Sequence, residues 1–198
     1  MTAQIATLPN VQIDEAHRFT VEEYEKILET GIFDDERVEL LNGIIRVMGK
    51  MNEPHFGMIV FLNKLLVLHC GNNFCCSPQN PVKMGEYGAP MPDFVIAKFR
   101  EDDYAGAKMQ PEDILLAIEV SDSSLKTDRK VKTVIYASNN IPEYWIVNLQ
   151  DYQIEVFKQA KNTDYQSKRI AKAGETVTCE GIGLTVRVDD IFKKFKKA

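Results

Sequence analysis

Two carboxylates stand where the chain is otherwise apolar. Glu119 interrupts ILLAIEVS, residues 114–121, a run that reads as a strand covered on both faces. A carboxylate in that position loses hydration and requires a cation or hydrogen bonds to remain charged. Asp93 follows Pro92 at the start of PDFVIAKF, a second apolar strand, so the two acids can converge from adjacent strands at one edge of a sheet. Hard oxygen donors of this kind suit Mg2+ or Mn2+, which bind substrate phosphates while retaining several waters.

The elements around these strands must hold both acids in place. After Glu119, Ser123 or Ser124 can start a helix with Val131, Val134, Ile135 and Ser138 as its apolar stripe, Asn139 to Pro142 stop it, and EYWIVNL follows as a strand. A strand, a helix of about a dozen residues and a strand make a right-handed parallel crossover, which sets an α/β class. Upstream, residues 20–30 read as a helix with Thr20 as cap and Glu23 three residues on, the pattern of a capping box. RVELL and IIRVM flank Asn42-Gly43, a hairpin with a type I′ turn. Asn52 and Pro54 open a helix from His55 to His69, short strands follow from Phe74 to Phe99, and a polar loop runs from Arg100 to Asp113. Downstream, YQIEVFK pairs across Gln150-Asp151, more short strands reach about Val188, and DDIFKKF closes as a small helix.

The absence of repeats and linkers in 198 residues predicts one domain spanning 1–198, and 44% hydrophobic with 27% charged residues is an ordinary globular composition. No apolar run approaches the roughly 20 residues of a membrane span, and MTAQIATLPN lacks a basic segment followed by an apolar one, so a cytoplasmic protein is expected. Four cysteines are too few and too irregularly placed for a disulfide framework or a zinc site. A net charge of −5 argues against broad nucleic-acid binding and requires any such contact to use a local patch. Two basic stretches exist: Lys126, Arg129, Lys130 and Lys132, and the terminal Lys193, Lys194, Lys196 and Lys197, the latter reading as a solvated helix end.

Pro92-Asp93 followed by a strand ending Glu119-Val120-Ser121 resembles the PD-(D/E)xK nuclease superfamily. The wider frame of VELLNG near residue 40, EPH at 53–55, PMPDFVIA, AIEVSDSS, DRKVK and IPEYWIV resembles the Uma2 family of restriction endonucleases, over about residues 18–193. The resemblance implies a restriction-endonuclease-like core of a central mixed sheet flanked by helices, Mg2+ dependence, and hydrolysis of DNA phosphodiester bonds, with Asp93 and Glu119 as metal ligands. Ser121 stands where the superfamily pattern has its lysine, and the resemblance points instead to Lys132 on the next helix. Lys130 and Lys132 flank the apolar stripe on opposite sides, so the helical wheel alone does not choose between them. A plainer account of Lys132 is a surface pair with Asp128 at i, i+4. Glu39 matches the family's carboxylate before the hairpin turn and could complete or orient the metal site, although its position also fits an exposed strand residue. His55 matches the EPH position, to contact phosphate or simply to cap and pack. Arg129 and Lys130 are candidate phosphate contacts, Gln79 and Glu143 are set aside, and Tyr136 is expected to be packed.

The reading that follows is a Mg2+- or Mn2+-dependent endodeoxyribonuclease acting on DNA as a homodimer, since duplex cleavage commonly needs two symmetry-related sites. In it Lys132 steers the attacking water and offsets charge on the phosphorane. Ser121 and the acidic net charge favour a different class, a catalytically silent binding module on the same fold, whereas Asp93, Glu119 and Lys132 together favour the enzyme. Nucleolysis of RNA or branched DNA is a third possibility.

Overall fold

Thr20 and Glu23 exchange side-chain-to-backbone hydrogen bonds at 3.2 and 2.9 Å, and this closed box starts α1 (Val21–Glu29), satisfying two otherwise orphaned donors. The computed structural model describes residues 16–195; the opening MTAQIATLPN and the basic Lys196 and Lys197 lie outside the described residues. The hairpin forms as its turn requires: β1 (Val38–Leu41) pairs with β2 (Ile44–Val47) in antiparallel register, with Asn42 at φ 52° and Gly43 at φ 78°. Asn52 caps α2 (Glu53–Cys70) by accepting from the His55 N–H at 3.0 Å.

Six strands make the main sheet in the order β3 (Phe74–Pro78), β4 (Phe94–Lys98), β5 (Ile114–Ser121), β6 (Glu143–Asn148), β7 (Gln153–Lys161) and β8 (Asp164–Ala171). Only β5 and β6 run parallel, joined by the helical crossover. That crossover comprises α3 (Leu125–Thr127), a π turn over Asp128–Lys132, and α4 (Thr133–Ser138). A second hairpin, β9 (Thr176–Cys179) with β10 (Leu184–Arg187), leads into α5 (Val188–Phe192). Among the described residues no helix is long and apolar enough to cross a membrane, and the four cysteines are free thiols.

β5 is buried on both sides, as its apolar run predicts. Leu116, Ile118 and Val120 pack with Met58, Leu62 and Leu66 of α2, while Ala117 faces a second cluster with Tyr136, Ala137 and Ile146. β4 alternates the same way, with Phe94 and Ile96 on the α2 side and Val95 and Ala97 opposite. By this two-residue period Glu119 and Asp93 both face the crossover helix. The antiparallel register pairing Phe94 with Ile118 brings them opposite each other at the sheet's end.

The crossover helix departs from the expected stripe. Val131 and Val134 are 38% and 43% exposed, whereas Asp128, Lys132, Thr133, Ile135, Tyr136 and Ala137 are buried. The cause is the π turn: the Thr133 N–H reaches back five residues to the Asp128 carbonyl. A turn bonded i→i+5 advances less per residue than an α turn, so Asp128, Lys132 and Tyr136 stay aligned on the inward face.

Gly43 positions the hairpin that carries Glu39. A Cβ there would lie 2.6 Å from the Arg18 Cβ, on a backbone already at positive φ. Gly43→Ala is expected to cost about 1–3 kcal/mol in urea unfolding; a loss below a few tenths would show that the turn bears no strain.

Candidate active site

Asp93 is held by three partners. Its Oδ2 accepts the Val120 N–H at 2.8 Å and lies 3.4 Å from His55 Nε2, and its Oδ1 accepts from Gln79 Nε2 at 3.1 Å. Burial would push this carboxyl up, but His55, the Val120 amide and Gln79 together hold it below the ordinary range. His55 responds in the opposite sense: burial lowers its pKa, and Asp93 more than offsets this. Asp93 is therefore a charged carboxylate with a fixed orientation.

Glu119 is different. Its Oε1 accepts from Lys132 Nζ at 2.8 Å and from the Tyr136 hydroxyl at 2.7 Å. Burial, reinforced by Asp128 and Asp93 and only partly opposed by Lys132, pushes its pKa well up. Lys132 Nζ also lies 3.1 Å from Glu39 Oε2 and 3.9 Å from Asp128 Oδ1. Burial would discharge the ammonium, but Glu119, Glu39 and Asp128 outweigh it and keep Lys132 protonated. Glu39, fully buried, is fixed from its other side by Arg46 Nη1 at 2.8 Å and the Met91 N–H at 3.2 Å.

Asp128 enters the site through the π turn. Its Oδ2 accepts two hydroxyls, from Ser121 and Ser124, each at 2.6 Å. Its buried Oδ1 has no hydrogen-bond partner, and the same is true of buried His55 Nδ1. Both residues line one cavity of about 120 Å3, together with Glu39, Asp93, Glu119 and Lys132. Among its buried side chains four carboxylates, Glu39, Asp93, Glu119 and Asp128, face one ammonium, Lys132, an excess of negative charge that suits a cation. Among the described residues no three His, Cys, Asp or Glu side chains form a ready metal-ligating set. Of the four carboxylates, Asp93 and Glu119 stand together at one end of the sheet, and such a pair matches the way Mg2+ is usually held, by one or two carboxylates with waters and substrate phosphates.

The structure thus brings Asp93, Glu119, Lys132, Glu39 and His55 together. Of the two lysines the helical wheel left open, Lys132 turns inward, and Lys130 is exposed on another face. Lys132 and Asp128 are 2% and 1% exposed, so the surface-pair account of them is set aside. Glu39 is likewise not an exposed strand residue. Arg129 makes a two-point contact with Glu155, at 2.9 and 2.6 Å, and neither it nor Lys130 lines the cavity. Three site residues escaped the sequence reading: Gln79, which was set aside, Tyr136, taken as packing alone, and Asp128. The alternation of β5 carried a signal for the last, because Ser121 shares the Glu119 face and a small hydroxyl there invites a polar neighbour.

Residues 21–189 match the family model "Uma2: Putative restriction endonuclease". The fold is similar to that of a solved protein from Anabaena variabilis ATCC 29413, described as a "putative nuclease belonging to DUF820", with a TM-score of 0.72 and 13% identity over 88% of this chain and 98% of that one. No curated protein matches the sequence.

Replacing Lys132 by Met leaves Glu119 and Asp128 without their cation and Glu39 with Arg46 alone, a change expected to cost about 3–5 kcal/mol at pH 7. Glu119, with a folded-state pKa raised above its ordinary 4.5, contributes most to stability below that value, and the contribution is lost as pH rises through the raised pKa. Removing the lysine enlarges the shift. The gap between Lys132→Met and the parent should therefore be largest at neutral pH and narrow toward pH 4.5; an equal gap at both in urea melts would contradict this.

Proposed function

Because the chain belongs to the Uma2 family, we propose that it is a nuclease that hydrolyses DNA phosphodiester bonds with the help of a divalent cation, at a site built on Asp93, Glu119 and Lys132. The observation that carries this reading is the convergence of the three in one cavity, where an excess of buried carboxylate charge and two unpartnered polar atoms, His55 Nδ1 and Asp128 Oδ1, call for further ligands. Mg2+ or Mn2+ bound by Asp93 and Glu119 would supply Lewis-acid activation and charge neutralisation at the phosphate.

The side chains have separable tasks. Asp93, held rigid by His55, Gln79 and the Val120 amide, presents a charged carboxylate without reorganisation. Tyr136 orients Glu119 from behind. Lys132 spends two of its three N–H donors on Glu119 and Glu39, leaving the third for a phosphate oxygen or the attacking water. There its charge opposes the negative charge that develops as the phosphorus becomes five-coordinate. Glu39, clamped by Arg46 and the Met91 amide, positions that ammonium. The case for a silent binding module rested on Ser121 in place of a lysine and on the acidic net charge; an ammonium delivered from the crossover helix to Glu119 answers the first and supports catalysis. A homodimer would present two such sites to the two strands of a duplex.

Saturating Mn2+, at about 100 times its Kd, is expected to raise the melting temperature by about 5–10 °C and to support nicking of plasmid DNA. Asp93→Asn should abolish both effects. Lys132→Ala should retain some of the Mn2+ stabilisation but lose cleavage by a factor on the order of 10² or more. A parent protein that gains no stability from Mn2+ or Mg2+ and leaves plasmid intact in either would overturn the assignment.

A further inference from the structure

The acids that suit a cation also repel a phosphodiester, and the whole chain carries a net charge of −5. A polyanionic strand therefore needs local positive charge at the mouth of the cavity to approach it. The basic residues singled out in the sequence do not provide it: Arg129 is engaged by Glu155, and Lys130 lies on another face. The mouth is instead bordered by the arm that runs from β1 through β2 into the cap of α2, which contributes Arg37, Arg46 and Lys50 to the lining.

These three cations are not equivalent. Arg46 is spent on Glu39. Arg37 is exposed, and among the described residues its guanidinium donates one hydrogen bond, to the Met91 sulfur at 3.3 Å, a weak acceptor. Lys50 is exposed, and neither it nor Arg37 has a carboxylate partner among the described residues. The acids just before Arg37, Asp34 to Glu36, do not line the cavity. Asp122 also lines the cavity, and its carboxylate accepts a 2.7 Å hydrogen bond from Asn52. The two lining cations without a carboxylate partner thus both belong to the arm, whose two strands lie outside the main sheet.

We infer that this arm is the backbone-gripping element of the site, with Arg37 and Lys50 contacting the phosphates that flank the scissile one in duplex DNA. The inference rests on the nuclease reading and goes further by assigning binding to residues apart from the metal-dependent chemistry. Contacts of this type carry no base information, so they set affinity and register without sequence preference.

Binding of a labelled duplex to the metal-free protein, followed by fluorescence anisotropy between 50 and 200 mM NaCl, tests it. Arg37→Ala combined with Lys50→Ala should lower the slope of log K against log salt by about two and weaken binding by about tenfold or more at low salt, equally for unrelated sequences. The same variant should keep the Mn2+ stabilisation of the parent, which shows that the fold and metal site survive. Lys193→Ala with Lys194→Ala, basic but outside the cavity lining, should change neither quantity. An unchanged slope in the arm variant, or an equal loss in the Lys193 and Lys194 variant, overturns the inference while leaving a cleaving parent's assignment intact. A parent that neither binds nor cleaves DNA sinks both.

Discussion

A lysine ammonium enclosed by three acids, nearly sealed from water, is the interaction on which the rest of this structure depends. Lys132 is 2% exposed, and Glu39 and Glu119 are 0% and 4% exposed. Each charge alone would be intolerable at that depth, and mutual attraction repays the lost hydration only when geometry is good and the remaining lone pairs are satisfied. Here they nearly are: Arg46 and the Met91 amide complete Glu39, and Tyr136 completes Glu119. The elements that meet at this point are distant in sequence. A hairpin supplies Glu39, the central strand supplies Glu119, and the crossover helix supplies Lys132 and Tyr136. Misplacing any of them leaves a buried charge exposed to no partner, so the cluster specifies how hairpin, sheet and helix dock as much as it serves chemistry.

The local elements and the two strand acids were legible because each is written in a few neighbouring residues. Asn42-Gly43 encodes its turn, Thr20 and Glu23 encode their box, and Glu119 betrays itself as a charge in an apolar run. Parallel pairing of β5 with β6 followed from the length of the connection alone. The orientation of the crossover helix was not legible, since an α-helical wheel assumes 3.6 residues per turn, and the π turn at Asp128–Lys132 breaks that assumption. Beside local bonds from Ser124 and Thr133 Oγ1, what favours the wider turn is tertiary: Ser121 of β5 donates to the Asp128 carboxylate and the Tyr144 hydroxyl of β6 to its carbonyl, at 2.6 and 3.3 Å. A wheel drawn from sequence has no access to bonds made across the fold. Gln79 was hidden for a similar reason, as it sits at φ 49° after β3, and only the pairing of β3 with β4 brings it to Asp93.

Ser121 shows how one substitution pattern can mislead and inform at once. Taken along the strand, it is a missing lysine and an argument for inactivity. Taken across the fold, its hydroxyl anchors Asp128 at 2.6 Å, four residues before the lysine that reaches Glu119 from the helix. Strand and helix have in effect exchanged roles, with the strand providing the small hydrogen-bond donor and the helix the long cation. A lysine on β5 at this position would remove the Ser121 hydroxyl from Asp128, leaving Ser124 as its one serine partner. The cation that Glu119 needs is supplied instead by Lys132.

The asymmetry of the cavity extends this logic to substrate approach. Its floor is made by the rigid sheet and crossover helix, where partners fix Asp93 and Lys132 to within a single hydrogen-bonded geometry. Its rim is made by a short hairpin arm with exposed Ile44 and Val47, 62% and 52% accessible, and outside the main sheet. Groups that stabilise developing charge gain from being preorganised, whereas groups that capture a flexible polyanion need only carry charge and reach. Buried acids and lysine on the sheet and helix, with exposed Arg37 and Lys50 on the arm, are what those two requirements would ask of a nuclease with a net charge of −5. A net charge of −5 averages over the whole sequence and leaves room for a local pair of cations, Arg37 and Lys50, on the arm.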